Sequence, residues 1–367
     1  MKPDVIVIGA GIIGLATAER LLREGIKVTL LEHGSVGFES SWAGGGILAP
    51  LCPWNYSDAV TQLARYSAMQ FPDWNSDLRD KSGIDPEYQK SGMLILPPYD
   101  QNSALAWCSK RNITIKQCML PEAYFEHSPA KNEQVLYLPD VAQVRNPRLL
   151  RALHTRIVQL QGKIIENCTV TSLKTSNNQV KLVVSSCGEF AADRYIVCAG
   201  AWSQEILGAY ALGLQIKPTK GQMLLFKYDS PPIQTIIIQN DLYLIPRIDG
   251  HLLVGSTMEN VGFDKQPTKA SHDYLLTKAM TILPSLSQKT VIKHWAGLRP
   301  GSPNNIPTIG RHPVVSNLFI SSGHFRYGVT MAPASAEILV NEIIESPQPF
   351  DISAYQMGWY TEPKITL

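Results

Sequence analysis

The first 32 residues constrain the fold of this chain more than any other segment. A short run rich in valine and isoleucine, residues 4–8, leads directly into Gly9-Ala10-Gly11-Ile12-Ile13-Gly14, and an amphipathic segment, residues 15–22, follows. A second apolar run, residues 27–31, ends at Glu32. A G-x-G-x-x-G motif alone is a weak signal, but a strand before it and a helix after it are the context that a dinucleotide site requires. The sequence therefore predicts a βαβ unit that begins a parallel sheet.

Each part of this motif has a physical role in a dinucleotide site. Gly9 permits the tight turn, Gly11 lets the backbone approach a pyrophosphate, and Gly14 lets the helix pack closely on the strand. The phosphates then face a helix N-terminus, where unpaired N–H groups and the helix dipole favour an anion. Glu32, at the end of the second strand, can accept hydrogen bonds from ribose hydroxyls and disfavours a 2′-phosphate. These residues leave FAD and NAD open as the cofactor.

Composition argues against several classes of protein. The 367 residues suffice for two or three domains, and shares of 44% hydrophobic and 17% charged residues are typical of a soluble globular protein. A net charge of +2, without a basic stripe, argues against nucleic acid or an anionic membrane as a partner. No apolar run approaches the ~20 residues that span a bilayer, and no secretory leader is recognisable, so we expect a cytoplasmic protein. The six cysteines show neither C-x-x-C spacing nor the density of a disulfide framework, and no spacing indicates a metal site.

The rest of the chain predicts further helices, strands and one unusual loop. The loop, residues 40–50, is rich in small residues, so its backbone could approach a flat cofactor. Helices are predicted over 59–81, 102–112, 271–283 and 332–345, and another opens with Asn146 as its cap and Pro147 at its first position. Strands are predicted near 92–96, 163–167, 170–173, 180–184, 222–226, 235–238, 242–246 and 251–255, with a hairpin turn at Asp249-Gly250.

The order of these elements predicts an α/β fold, α+β overall, with two discontinuous domains. A buried run that ends in Ala199-Gly200-Ala201-Trp202 indicates a return to the parallel sheet, whereas the block from 215 to 293 is mostly antiparallel in character. We therefore predict a Rossmann-like cofactor domain with a central parallel sheet and a substrate domain with a mostly antiparallel sheet. The cofactor domain would comprise residues 1–84, 144–216 and 295–367, and the substrate domain residues 85–143 and 217–294.

Two motifs late in the chain carry a more specific signal. They are Ala296-Gly297-Leu298-Arg299-Pro300 and Gly323-His324-Phe325-Arg326-Tyr327-Gly328. With the N-terminal motif and the segments 198–203, 243–247 and 254–259, they make nearly the whole chain resemble the FAD-dependent amine and amino-acid oxidases of the D-amino-acid oxidase superfamily. Within it the glycine oxidase group, associated with the thiazole branch of thiamine synthesis, is the most similar. The resemblance implies FAD as the cofactor and the two-domain fold of D-amino-acid oxidase.

The resemblance also implies roles for particular residues. Arg299 would bind the substrate carboxylate with help from Tyr243, and Arg326 and Met258 would lie near the substrate. A guanidinium offers a carboxylate two charged donors in one plane, and a phenol adds a neutral donor. Without the resemblance, Arg299 could equally lie on the surface and Tyr243 in the core. The residues expected to bind FAD are Gly9, Gly11, Ile12, Ile13, Gly14, Glu32, His33, Ser40, Ser41, Ala43, Gly44, Gly45, Gly46, Val170, Ala199, Gly200, Trp202, Arg299, Gly323, His324, Phe325, Arg326, Tyr327, Gly328 and Val329.

The reaction that the resemblance implies is the oxidation of a small amino acid. Hydride would leave the α-carbon for flavin N5, the imino acid would hydrolyse to the oxo acid, and O2 would reoxidise the flavin to give H2O2. The substrate can enter as the free amine, so no catalytic acid or base is assigned and orientation would supply the catalysis. Members of this family with covalent flavin attach it through a cysteine near the Arg-Pro stretch, and residues 295–310 contain none, so the resemblance implies non-covalent FAD. The helix after Gly328 would direct its N-terminus at the flavin and stabilise negative charge there.

Several alternatives stay open at this point. One is a D-amino-acid dehydrogenase that passes electrons to a quinone, although no hydrophobic anchor is evident. Another is a nicotinamide dehydrogenase, which the N-terminal motif permits and the late motifs disfavour. A third is an FAD-dependent tRNA-modifying oxidase, which the near-neutral charge disfavours. The sequence does not separate glycine from sarcosine, D-alanine or D-proline, since one methyl group is worth only ~1–3 kcal/mol. Family members often form tetramers, so we expect a homo-oligomer.

Overall fold

The computed structural model of the chain describes residues 2–119 and 134–360. Its strands are β1 (Val5–Ile8), β2 (Val28–Leu31), β3 (Gln89–Lys90), β4 (Met93–Ile95), β5 (Lys116–Met119), β6 (Gln134–Leu138), β7 (Ala142–Gln143), β8 (Lys163–Ile165), β9 (Val170–Ser176), β10 (Gln179–Ser185), β11 (Gly188–Phe190), β12 (Arg194–Val197), β13 (Lys217–Lys227), β14 (Ile236–Gln239), β15 (Leu242–Pro246), β16 (His251–Gly255), β17 (Lys293–Gly301), β18 (Thr308–Arg311) and β19 (Leu318–Ser322).

The α-helices are α1 (Ile12–Arg23), α2 (Ser40–Ala43), α3 (Asp58–Ser82), α4 (Gln101–Lys110), α5 (Asn146–Gln159), α6 (Ser203–Leu207), α7 (Lys269–Ile282), α8 (Gly328–Ile343) and α9 (Ser353–Gln356). Short 3-10 helices lie at Pro53–Asn55, Gly200–Trp202, Gly208–Ala211, Pro284–Gln288, Pro303–Asn305 and Met357–Tyr360. Within the described part of the chain, no helix is both long and apolar enough to cross a membrane.

A six-stranded sheet, in the order β18-β19-β12-β1-β2-β8, forms the first layer of the fold. Strands β19, β12, β1, β2 and β8 are parallel, and only β18 runs antiparallel to its neighbour. Val5 and Val7 pack with α1, α3, α5 and α8 on one face, while Ile6 and Ile8 pack in a second cluster with β9 and β10 on the other. Burial on both faces explains why these strands are continuously apolar. The predicted parallel sheet and βαβ unit are confirmed.

The glycine turn has the geometry that its sequence predicts. Gly9 has a φ of +101°, which residues with a side chain rarely adopt. A Cβ on Gly14 would lie 1.9 Å from the carbonyl oxygen of Gly9, so only glycine lets α1 pack this closely against the end of β1. Helix α1 therefore begins at the carboxyl end of β1, with its N-terminus at the edge of the parallel sheet.

An eight-stranded sheet, in the order β17-β13-β16-β15-β14-β4-β6-β5, forms the second layer. Its pairs are antiparallel except β14 with β4, as the strand-rich block predicts. Helix α7 packs on one face through Leu275, Ala279 and Ile282. The opposite face carries Met223 and Tyr243 in a separate apolar cluster. Strands β9, β10 and β11 form a small antiparallel sheet, and β3 pairs with β7.

Three expectations about element boundaries need correction. The boundary expected at 294/295 falls inside β17, which pairs along β13 from Lys293 to Gly301 and so belongs wholly to the eight-stranded sheet. Asn146 does not cap α5; it is the first helical residue, and its Nδ2 donates instead to the carbonyl oxygens of Ser41 and Gly44 at 2.8 and 3.0 Å. Helix α8 begins at Gly328 rather than 332 and includes Pro333, although proline is usually tolerated only in the first turn of a helix.

The remaining division into five segments stays a proposal, now with its last boundary moved beyond β17. Parts of the predicted segments 85–143 and 295–367 lie outside the described residues.

Candidate active site

One cavity of about 470 Å³ brings most of the predicted site residues together. It is bordered by the glycine turn, the end of β2, the small-residue loop, and residues of β13, β15, β17 and the start of α8. The predicted residues on its wall are Gly9, Gly11, Ile12, Ile13, Glu32, His33, Ser40, Ser41, Ala43, Gly44, Gly45, Gly46, Val170, Ala199, Gly200, Trp202, Tyr243, Arg299, His324, Phe325, Arg326, Tyr327, Gly328 and Val329. The nucleotide-binding motif and the late motifs therefore face the same space.

Three predicted residues do not line this cavity. Gly14 lies behind the turn against Gly9, which agrees with its packing role. Gly323, at φ +84°, precedes the wall-forming His324. Met258 was expected near the substrate, but its side chain is 54% exposed. The side chains of Ser256 and Thr257 are buried beside it, and Met258 points to the outside of the same segment. The expectation that Met258 lies near the substrate is therefore wrong, and the structure places it at the surface.

The carboxylate of Glu32 closes the nucleotide end of the cavity. It accepts hydrogen bonds from the backbone N–H groups of Ala10 (2.7 Å) and Gly34 (3.0 Å), and His33 Nδ1 lies 3.0 Å from it. Burial alone would raise the pKa of Glu32, but the hydrogen bonds from His33 and the two N–H groups outweigh it and lower the pKa. Glu32 is thus a fixed, ionised acceptor, as a ribose-binding residue needs to be.

His33 continues this cluster toward the protein surface. Hydrogen bonding to Glu32 and then to Glu39, 3.2 Å from Nε2, raises the pKa of His33 to about 9. Glu39 also pairs with Lys265 from the segment after β16, at 2.8 Å. The ring of Trp202, which lines the cavity, contacts His33 at 5.0 Å between centroids and Phe263 at 5.4 Å. The segment that carries Phe263 and Lys265 therefore bridges the eight-stranded layer to the nucleotide end of the cavity.

Hydrogen bonds through the side chain of Ser41 and the backbone of Gly45 hold the small-residue loop in place. Ser41 Oγ accepts from the N–H of Ile12 at 2.9 Å, which ties the loop to the N-terminus of α1. Arg247 is buried and donates to the carbonyl oxygens of Gly45 (2.8 Å) and Val144 (2.9 Å). A Cβ on Gly45 would lie 2.5 Å from Ile245 Cδ1. These contacts fix the loop backbone against the cavity, where the sequence predicts a flat cofactor.

Arg299 and Tyr243 face the other end of the cavity. The Arg299 guanidinium donates to the carbonyl oxygen of Thr257 at 3.1 Å and to Ser256 Oγ at 2.6 Å. Burial lowers the pKa of Arg299, although a guanidinium stays charged at neutral pH. Tyr243 is only 7% exposed, and its hydroxyl contacts Met223 Sδ at 3.8 Å. The structure therefore places Arg299 neither at the surface nor in an ion pair with the described residues.

Arg326 and Tyr327 complete this end. Arg326 Nη1 pairs with Asp241 at 3.0 Å, while its Nη2 is buried without a hydrogen-bond partner in the described structure. The Tyr327 hydroxyl donates to the Tyr56 hydroxyl, and burial raises the Tyr327 pKa well above its usual value. Tyr327 therefore stays a neutral phenol at physiological pH.

The start of α8 also faces the cavity. Gly328 and Val329, the first residues of this 16-residue helix, line the wall, so unpaired N–H groups and the positive end of the helix dipole border the cavity. His324 lies just before this helix, with its Nε2 2.9 Å from Ser335 Oγ, and burial lowers its pKa to about 3. His324 is therefore neutral. Among the described residues, no cluster of His, Cys, Asp or Glu could hold a metal ion.

The sequence interpretation missed several residues of this site. Gly221 and Met223 of β13 and Asn146 of α5 line the cavity, and Ser256 and Thr257 hold Arg299 from behind. Of these residues, only Gly221 could have been anticipated from the sequence, because a glycine inside a strand often marks the close approach of another group.

Comparisons with known proteins agree with this geometry. Residues 4–342 match the family described as FAD dependent oxidoreductase (DAO). Glycine oxidase from Pseudomonas aeruginosa is 41% identical over 358 residues, which cover 95% of this chain and 98% of that protein. The bifunctional protein ThiO/ThiG from Trichormus variabilis is 30% identical over 100% of this chain and 57% of its own length. The crystal structure of glycine oxidase from Geobacillus kaustophilus superposes with a TM-score of 0.90 at 24% identity, covering 96% of this chain and 98% of that one. The chain therefore belongs to the DAO family of FAD-dependent oxidoreductases.

Proposed function

We propose that this protein is a glycine oxidase, which oxidises glycine or a similarly small amino acid such as sarcosine or a D-amino acid. The observation that carries the proposal is the position of Arg299, a guanidinium without an ionic partner among the described residues, in the same cavity as the dinucleotide-binding turn. A half-buried cation that faces a cavity calls for an anionic partner, and the carboxylate of an amino acid supplies one.

The relatives support this proposal. A relative 41% identical over nearly the full length of both chains is named glycine oxidase. The matching part of ThiO/ThiG adds support for a role in thiamine thiazole synthesis. Neither a quinone-dependent dehydrogenase nor a tRNA-modifying oxidase is favoured by these relatives.

The residues present fit FAD. Gly200 lines the cavity at φ +54°, and a Cβ there would project into open space, so the wall is free for a ligand at this point. Glu32 would accept from the ribose, the N-terminus of α1 would face the pyrophosphate, and the loop at Gly45 would lie against the ring system. When bound, FAD supplies a two-electron acceptor for the substrate α-carbon.

We also propose that FAD binds without a covalent bond. Cys168 and Cys198 line the cavity, but both belong to its nucleotide end: the Cys168 N–H donates to Glu32 and the Cys198 N–H to Ile8. Burial raises the pKa of the Cys198 thiol to about 12, which keeps it protonated and unreactive.

The chain's own residues would act by orientation. Arg299 and Tyr243 would hold the carboxylate and so fix the direction of the α-carbon, and the N-terminus of α8 would stabilise negative charge on the cofactor side. His324 is buried and neutral, and we assign no catalytic acid or base.

The proposal further includes O2 as the electron acceptor, a homo-oligomeric state and a cytoplasmic location. Six unpaired cysteines support the location, since disulfides are rare in the cytoplasm.

Oxygen uptake tests this function. FAD-loaded protein is mixed separately with glycine, sarcosine and D-alanine in an oxygen electrode, and catalase is then added. We expect uptake with at least one substrate and partial return of oxygen with catalase, which identifies H2O2 as the product. No uptake, together with reduction of an artificial quinone by the same substrates, would support a dehydrogenase instead.

A further inference from the structure

A polar network lies behind Arg299, on the side away from the cavity. Its first members are Ser256 and Thr257, which accept the hydrogen bonds of the guanidinium. Both follow β16 directly and are buried. The position of the guanidinium therefore depends on what holds these two residues.

The Thr257 side chain is held by Glu259 and Gln222. Thr257 Oγ1 donates to Glu259 Oε1 at 2.5 Å and accepts from the backbone N–H of Gln222 at 2.9 Å. Gln222 Nε2 donates to the same carboxylate oxygen at 2.9 Å. The three residues thus form a closed ring of hydrogen bonds around one carboxylate oxygen.

The orientation of the Gln222 amide is fixed by its other partners. Its Oε1 accepts from the backbone N–H of Thr268 at 2.9 Å, and His294 Nε2 lies at the same distance. A backbone N–H can only donate, so Oε1 must face it and Nε2 must face Glu259. Gln222 is fully buried, so a rotated amide would leave unpaired polar atoms in the interior.

Lys220 fixes Glu259 from the other side. Its backbone exchanges two hydrogen bonds of 2.9 Å with the Glu259 backbone, and its buried ammonium lies 3.5 Å from Glu259 Oε2. The same ammonium pairs with Asp264 at 3.0 Å, so Lys220 also ties Glu259 to the segment after β16. Gln222 also lies next to Arg299 along β13, since its neighbour Gly221 faces the guanidinium.

We propose that Glu259 and Gln222 are positioning residues for Arg299: by holding Thr257, they keep the guanidinium directed at the substrate carboxylate. The proposal rests on the proposed function, in which Arg299 binds that carboxylate. Glu259 touches neither Arg299 nor the cavity wall in the described structure, so its effect passes through Thr257.

The test compares matched variants of the FAD-loaded protein. Thr257→Val removes the hydroxyl at nearly constant shape, and Thr257→Ser restores it. Glu259→Leu removes the carboxylate, and Glu259→Gln keeps an acceptor oxygen. Glu189, exposed on β11, provides Glu189→Leu and Glu189→Gln as controls. The readouts are the Kd of acetate, from the perturbation of the flavin spectrum, and the separate KM and kcat values for glycine.

We expect Thr257→Val and Glu259→Leu to raise the Kd of acetate and the KM of glycine by about 10-fold or more, because a Thr257 that is no longer held lets the Arg299 guanidinium shift and lose one charged hydrogen bond to the carboxylate. Thr257→Ser and Glu259→Gln should recover most of this loss, and the Glu189 variants should match the wild type. Equal flavin content and unfolding temperature show that a variant has folded.

The outcomes separate the two proposals. If the wild type binds acetate but Thr257→Val and Glu259→Leu bind it equally well, the positioning role is wrong and the proposed function stands. If the wild type does not bind acetate and oxidises none of glycine, sarcosine and D-alanine, both proposals fall.

Discussion

Gly221 and Arg299 lie so close together that a Cβ on Gly221 would come within 2.2 Å of two guanidinium nitrogens. Strands β13 and β17 are paired antiparallel, with Thr219 opposite Arg299, so the guanidinium extends over the backbone of Gly221. The bare backbone at this position is what allows the arginine to lie flat against the cavity wall.

Gly221→Ala should therefore displace Arg299 without removing it. We expect the Kd of acetate and the KM of glycine to rise by about 10-fold or more, because the guanidinium must leave the position at which it makes its charged hydrogen bonds. Acetate titration of the flavin spectrum checks this, with flavin content of the same variant as the control. Unchanged acetate binding would contradict this prediction, because it would show that the guanidinium keeps its position beside the added methyl group.

Arg299→Met should remove the principal carboxylate donor. Each charged hydrogen bond contributes about 1.5–3 kcal/mol, so losing two should lower kcat/KM for glycine by roughly 10²- to 10⁴-fold. Arg299→Lys should be intermediate, since an ammonium keeps the charge and loses the fork. Arg79, which is exposed on α3, provides Arg79→Met as the control. Steady-state kinetics with glycine measures both, and near-normal activity of Arg299→Met would place the carboxylate elsewhere.

His33 should make the stability of the cofactor-free protein pH-dependent. Its pKa is raised from about 6.5 in an unfolded chain to about 9 by Glu32 and Glu39, so the folded state binds the proton more tightly. The stabilisation is therefore complete below pH ~6.5 and is lost as pH rises through about 9.

Unfolding temperatures of the wild type and His33→Gln between pH 6 and 10 measure this effect. The difference between the two proteins should shrink as pH rises across that window. A constant difference would contradict a raised pKa of His33 in the folded state.

Lys265 should strengthen the binding of FAD. It pairs with Glu39 and lies 5.8 Å above the Trp202 ring, both of which border the nucleotide end of the cavity. Exposed ion pairs are worth about 0–1 kcal/mol, so Lys265→Ala should weaken FAD binding by only a few-fold, and less at high salt. Fluorescence titration of the cofactor-free protein with FAD measures it. Lys269→Ala, which breaks a surface pair with Asp273, is the control and should leave FAD binding unchanged.

The parts of the fold and site that follow from local chemistry were predictable from sequence. The glycine turn and the strand before it carry their own geometry, since Gly9 needs a positive φ and Gly14 a missing side chain. The hairpin turn at Asp249-Gly250 is likewise local, and β15 and β16 pair around it.

What the sequence does not show is which distant groups meet. Gly221 and Arg299 are brought together by the register of two strands far apart in the chain, and Asn146 holds the loop after Ser41 instead of capping its own helix. Met258 was wrongly expected at the pocket because the residue pattern of a short segment does not reveal which side faces inward. The positions of most late-motif residues at the cavity were predicted only through the family resemblance, and the residue pattern alone did not indicate which distant groups they contact.

The most direct test is anaerobic reduction of the bound flavin by glycine. The protein is purified with FAD, glycine is added without oxygen, and the visible spectrum is recorded before and after air is admitted. A glycine oxidase should lose its flavin absorbance band on adding glycine and recover it in air with formation of H2O2. A flavin band that glycine, sarcosine and D-alanine all leave unchanged would contradict the proposed function.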